Sequence, residues 1–168
     1  SSAFEKDGTD RTVKLQLIKI CGRIRSAQAI EFLKQYVNTA DADLRSAALR
    51  ALSQCGYKAD STQVQQWIKN EIAHAAWLSA AAIDIGTHAN TALLQSALAD
   101  QVARSRDRVL TLLSFSGDAA ALQRARDNLL HGSADKKAYA LEVIDIQTPQ
   151  ALRGSVLPLL DDLSSEQR

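Results

Sequence analysis

Asp41-Ala42-Asp43-Leu44-Arg45-Ser46-Ala47-Ala48-Leu49-Arg50-Ala51-Leu52 places Leu44, Ala48 and Leu52 on one stripe of a helix that runs on to Cys55. Within it lies a phrase, Leu-x-x-Leu-x-x-x-Gly, that returns along the chain. It reads Leu15-Ile18-Gly22, Leu49-Leu52-Gly56, a weak copy at Ser79-Ala82-Gly86, and Leu110-Leu113-Gly117. A last copy, Leu141-Ile144, has Thr148 in the glycine slot. The first positions step by 34, 30, 31 and 31 residues. Four residues before each stands Arg11, Arg45, Ala75, Arg106 or Lys137, so a basic side chain recurs in four of the five copies. A sustained period of this size means supersecondary units stacked on one another, each leaning on its neighbours.

Working outward, helical spacing fills the chain. Segments of helical pattern fall at about 9–21, 27–38, 43–55, 61–73, 74–85, 90–100, 102–116, 119–130, 134–146 and 149–160. Ser61 is the expected N-cap of the fourth. The apolar pattern continues from Ile72 to Ile85, but the period places a break near 70–74. Glycines 22, 56, 86, 117 and 132 stand where left-handed C-caps belong. Pro149 suits a first helical turn, and Pro158 is expected to bend or shorten the last helix. No stretch alternates apolar and polar residues with β-branched enrichment, so no strand is expected. The predicted fold is all-α: an α-α superhelix of about ten short antiparallel helices. A single up-down bundle is the alternative, and the period favours the solenoid. Residues 1–8 read as a polar lead-in and 9–168 as the repeat domain. The chain opens on the second helix of a unit and closes on a first, with no polar capping repeat. It is expected to be truncated at both ends and to belong to a longer protein.

The bulk numbers fit one folded domain. Of 168 residues, 46% are apolar and 23% charged, which argues against disorder. Twenty basic against 19 acidic residues leave a net charge of +1, so no overall field draws nucleic acid or anionic lipid. Neither uncharged run, 72–83 or 85–99, reaches the ~20 apolar residues of a spanning helix, and direct membrane insertion is not expected. Cys21 and Cys55 share one slot of the repeat and read as small hydrophobes against the core. Two thiols fit a reducing, cytoplasmic setting.

The segment 41–52, with its Asp, hydrophobic-Arg and alanine-rich run, resembles the second helix of a HEAT repeat. Asp135-Lys136-Lys137-Ala138-Tyr139-Ala140-Leu141-Glu142-Val143-Ile144 resembles it also, and residues 7–18 and 104–113 do so more weakly. The units here are shorter than the ~40 residues usual in that family. A narrower likeness runs through residues 108–113, 124–130, 138–145 and 156–160. In that order they resemble the HEAT-like region fused behind ATP/ADP carrier-like membrane proteins of some bacteria. The likeness implies a cytosolic appendage tethered to a membrane by another part of the chain, and no nucleotide-binding residue carries over.

No catalytic constellation emerges. His74, His88 and His131 form neither a His-Glu pair nor a metal-ligand spacing, and no phosphate loop or nucleophile elbow occurs. Asp161-Asp162 reads as a turn. No cofactor is expected. Trp67 and Trp77 read as packing residues, with an exposed tryptophan counting as an interface anchor. The basic residues are the remaining candidates. Arg45, Arg50, Arg104, Arg106, Arg108 and Lys137 are either a structural ladder and solvated surface, or a ridge that contacts a partner. The leading functional expectation is a non-catalytic scaffold binding a protein or another part of its own chain. The second is a nucleic-acid-binding HEAT-like protein or base-excision glycosylase, which requires a basic wall with Trp67 or Trp77 exposed beside Asp84.

Overall fold

The computed structural model describes the backbone of residues 2–86 and 89–165 and the side chains of residues 10–86 and 90–161. His88 and the side chains of 162–164 lie outside the described residues. Among the described residues there are eight α-helices, one short 3-10 turn at Ala89–Thr91, and no strand. The chain forms two compact units, Ser1–Lys58 and Ala59–Arg168.

The first unit holds α1 (Ser2–Ile24), α2 (Ala27–Lys34) and α3 (Ala42–Gln54). Ser26 caps α2 by accepting from the Ala29 N–H, and Asp41 caps α3 by accepting from the N–H groups of Asp43 and Leu44. Ile18, Leu33, Val37, Leu44, Ala48, Leu49 and Leu52 form the core. α1 and α3 lie side by side and parallel, because Arg11 meets the start of α3 at Asp41 and Asp43 while Gly22 meets its later part. A Cβ at Gly22 would stand 2.9 Å from the Ala51 Cβ and 3.1 Å from its Cα. Gly22 is therefore present for close approach and lies inside α1. The left-handed residue after that helix is Arg25, at φ 55°. Cys55 donates through its thiol to the Gly22 carbonyl at 3.5 Å, and both cysteines are half-buried free thiols rather than core residues.

The second unit holds α4 (Ser61–Ile85), α5 (Ala92–Ser116), α6 (Ala119–His131), α7 (Ala134–Gln147) and α8 (Gln150–Ser165). Asp60, not Ser61, caps α4, and Asp118 caps α6. The expected breaks near 70–74 and at 100–102 are absent. α4 and α5 each run unbroken for 25 residues, which turns ten expected helices into eight. Neither place has a residue that stops a helix. The chain stops instead at Gly86, whose φ of 66° only glycine adopts without strain. Of the glycines read as left-handed caps, only Gly56 and Gly86 have positive φ. Helical backbone also runs through 2–8, through Pro158 and on to Ser165, so Asp161 and Asp162 lie in a helix and not in a turn. Val64, Ile68, Val109, Leu113, Phe115, Leu129, Ile144, Val156 and Leu160 form this unit's core.

Candidate interaction surfaces

The recurring basic column divides by environment. Arg11 is exposed; its Nε donates to Asp41 Oδ2 at 2.5 Å, and its Nη2 pairs with Asp43. The guanidinium is the chief reason that the Asp41 carboxyl sits below the ordinary carboxylate range. Burial opposes it, and the backbone N–H groups of Leu44 and Asp43 assist. Asp41 and Asp43 hold Arg11 protonated even more firmly than usual. Arg45 is buried and its Nη1 donates to the Thr39 and Ala40 carbonyls at 2.7 and 3.3 Å, tying down the turn before its own helix. Arg106 is buried too, with Nε donating to the Leu159 carbonyl of α8 at 2.7 Å. Lys137 is half-buried.

Arg108 has the most enclosed guanidinium. Its side chain is 2% exposed, its Nε lies 2.9 Å from Glu71 Oε2 on α4, and its Nη2 donates to Ser105 Oγ at 2.8 Å. A charge pair out of water stands only if each member is held by the other and by further hydrogen bonds, as here. So Arg45, Arg106 and Arg108, candidates for either a structural ladder or a partner ridge, work inside the fold and offer a partner almost no surface. The physical reason is their position: each projects from the inward side of its helix, where a charge must find an acceptor. Arg50 and Arg104 are exposed on α3 and α5. Arg104 and Arg108 stand one helical turn apart, yet α5 exposes the first and buries the second.

Glu71 is the residue that sequence reasoning missed. Its signal was available: Val64, Ile68, Glu71, Ala75 and Leu78 step by 4, 3, 4 and 3 along the buried stripe of α4. A carboxylate in that register requires a buried cation.

Three apolar surfaces remain uncovered in the described structure. At the far end of the α4–α5 hairpin, Trp77 is 66% exposed, Ile83 79%, Leu93 86% and Leu94 50%. Trp77 stacks on His74 with ring centroids 6.5 Å apart, while Trp67 is buried. On α1, Val13, Leu17, Ile20 and Ile24 are exposed. Between α7 and α8, Leu141, Ile146, Leu157 and Pro158 line a groove of about 700 Å³ with Glu142, Asp145 and Asp161 beside them. Among the described residues, no cluster of three or more His, Cys, Asp or Glu could hold a metal, and no helix is long and apolar enough to cross a membrane.

Comparison with protein families matches residues 3–82 to the HEAT repeats, a stretch that runs from α1 through most of α4. No curated protein and no solved structure matches the chain. The matched stretch contains the two parallel, stacked helices one repeat apart, with an alanine-rich second helix and an arginine tied to its preceding turn. Residues 3–82 are thus similar to HEAT repeats both in sequence and in the way α1 and α3 stack.

Proposed function

We propose that this chain is a non-catalytic interaction scaffold whose outer side chains bind a protein or another region of the same polypeptide. The observation that supports this most is the far end of the α4–α5 hairpin. Trp77, Ile83, Leu93 and Leu94 stand in water among alanines and serines, on two helices that expose almost no charge there. Large apolar side chains exposed on one hairpin suit an interface, and an exposed tryptophan is the residue type best suited to anchor one. Arg50, Arg104 and Lys137 are the basic candidates that retain accessible surface.

The nucleic-acid reading has one observation in its favour. Trp77 and Asp84 are both exposed, seven residues apart on one face of α4. It lacks the basic wall. From residue 70 to 103 the exposed charged side chains among the described residues are Asp84 and Asp100, both acidic. A phosphate backbone is repelled there. The cytoplasmic appendage of an ATP/ADP carrier-like transporter is the specific form of the scaffold reading, and it rests on the sequence resemblance carried by α5 to α8.

A photo-cross-linking residue placed at Leu93 in the full-length gene product, inside its own cells, tests the proposal. The expected adducts are protein, from a partner or from the same polypeptide, and Trp77→Ala reduces them. Adducts to nucleic acid would overturn it, as would none at all.

A further inference from the structure

The net charge of +1 conceals an uneven division between the two units. Ser1–Lys58 holds ten basic and six acidic residues, a net of +4, and Ala59–Arg168 holds ten and 13, a net of −3. The excess is concentrated further: residues 11–30 carry Arg11, Lys14, Lys19, Arg23 and Arg25 and no acidic residue. In the first unit every described carboxylate is already matched, Asp10 by Lys14, Glu31 by Lys34, and Asp41 and Asp43 by Arg11. Lys19, Arg23 and Arg25 are exposed and have no carboxylate partner among the described residues.

An apolar face runs beside those cations. Val13, Leu17, Ile20 and Ile24 step by 4, 3 and 4 along α1, and all four are exposed. Ile18 and Gly22 are buried on the other side of the helix, so the stripe faces solvent. It extends about 17 Å and contains no aromatic residue. Lys19 and Arg23, one turn apart, follow one edge, and Arg25 stands just past Ile24. Lys14, on the other edge, is held by Asp10 at 2.7 Å. An aliphatic stripe bordered by cations without partners is the pattern of a helix that lies in a membrane interface.

We infer that α1 docks the chain on a bilayer surface rich in anionic phospholipid, with the helix lying in the plane of that surface. Val13, Leu17, Ile20 and Ile24 enter the boundary between headgroups and acyl chains. Lys19 and Arg23 lay their aliphatic stems along the stripe and carry their charged ends, with that of Arg25, to the lipid phosphates. α1 does not cross the bilayer, since no described helix is long and apolar enough. The stripe has no ring on which a base could stack, which disfavours nucleic acid as the polyanion. Four partly exposed aliphatic side chains hold weakly by themselves, so attachment is reversible and requires the anionic headgroups. Surface and partner both differ from those of the scaffold proposal.

Co-sedimentation of the whole chain with vesicles reads this directly. In about 100 mM salt the chain is expected to bind phosphatidylcholine vesicles containing about 30% phosphatidylglycerol at least about ten-fold more tightly than phosphatidylcholine alone. Raising the salt to about 500 mM weakens the binding. K19Q/R23Q binds roughly 30-fold more weakly, at about five-fold per charge. R50Q/R124Q removes as much charge from exposed sites on α3 and α6 and changes binding less than about three-fold. Ile20→Gln with Ile24→Gln abolishes binding while its circular dichroism is unchanged. Attachment to neither kind of vesicle overturns the inference, and so does equal attachment to both. Equal losses from the two charge-removing variants overturn it as well, because the charge would then act without regard to place. Binding retained by the Ile20 and Ile24 variant, or tighter binding to a DNA oligonucleotide than to the vesicles, would mean a plain polyanion site and sink the idea too. None of these outcomes touches the scaffold proposal, which the cross-link at Leu93 tests on other helices.

Discussion

Glu71 and Arg108 sit where the periodic pattern demands aliphatic side chains, and their pairing decides what substitution there does. Glu71→Ala removes the carboxylate that the buried guanidinium of Arg108 pairs with. The expected cost is about 3–5 kcal/mol in urea unfolding. Glu71→Leu combined with Arg108→Met removes both charges together, and is expected to cost less than either single change. At Gly22 two effects oppose one another. Alanine improves helix propensity by up to about 1 kcal/mol, while a methyl group 2.9 Å from the Ala51 Cβ overpacks the α1–α3 contact by about 1–3 kcal/mol. Gly22→Ala is therefore expected to lower the urea midpoint. At Asp41 the depressed carboxyl sets a pH dependence. Its folded value lies below its unfolded value, so its contribution is fully present above about pH 4 and is lost as pH falls through the folded value. Asp41→Ala also loses the cap of α3, about 1 kcal/mol. The stability gap between wild type and this variant is expected to be widest above about pH 4 and to narrow as pH falls below it.

The helices show where pattern reading succeeds and where it stops. The phrase positions Ile18, Leu49, Leu52, Leu110, Leu113 and Ile144 are buried, Leu15, Ala82 and Leu141 are half-buried and Ser79 is exposed, so the buried stripe was legible in every copy but the weak one at 79–86. Helix ends were less so. A period says where a new unit is due, but a helix ends only where the backbone meets a cap, a glycine or a proline. Asn70-Glu71-Ile72-Ala73-His74 and Asp100-Gln101-Val102 each offer an N-cap residue type, Asn70 and Asp100, but no glycine or proline to end the helix before it. α4 and α5 therefore run about 37 Å each. Ala73 tests this, because its side chain is exposed and a substitution there acts through the backbone. Ala73→Pro is expected to cost about 3 kcal/mol or more, measured by thermal or urea unfolding, whereas a loop at this place would accept proline readily. The charged column was the least legible part. Spacing located Arg45 and Arg106, but the acceptors that Arg108 and Arg106 meet lie 37 and 53 residues away, at Glu71 and Leu159.

For the molecule as a whole, what separates a repeat array from a bundle is the direction of equivalent helices. In an up-down bundle each helix packs chiefly on the antiparallel helix next to it in sequence, whereas a repeat array also sets every second helix side by side and parallel. In the HEAT-repeat stretch α1 and α3 occupy equivalent places in successive units and run the same way. The most direct test is a nuclear Overhauser measurement on the intact chain, from the Gly22 α-protons to the methyl groups of α3. The account predicts a cross-peak to the Ala51 methyl group and none to Leu44. Contact with Leu44 and silence at Ala51 would mean that the helices run antiparallel, and the stacked-repeat account would be wrong.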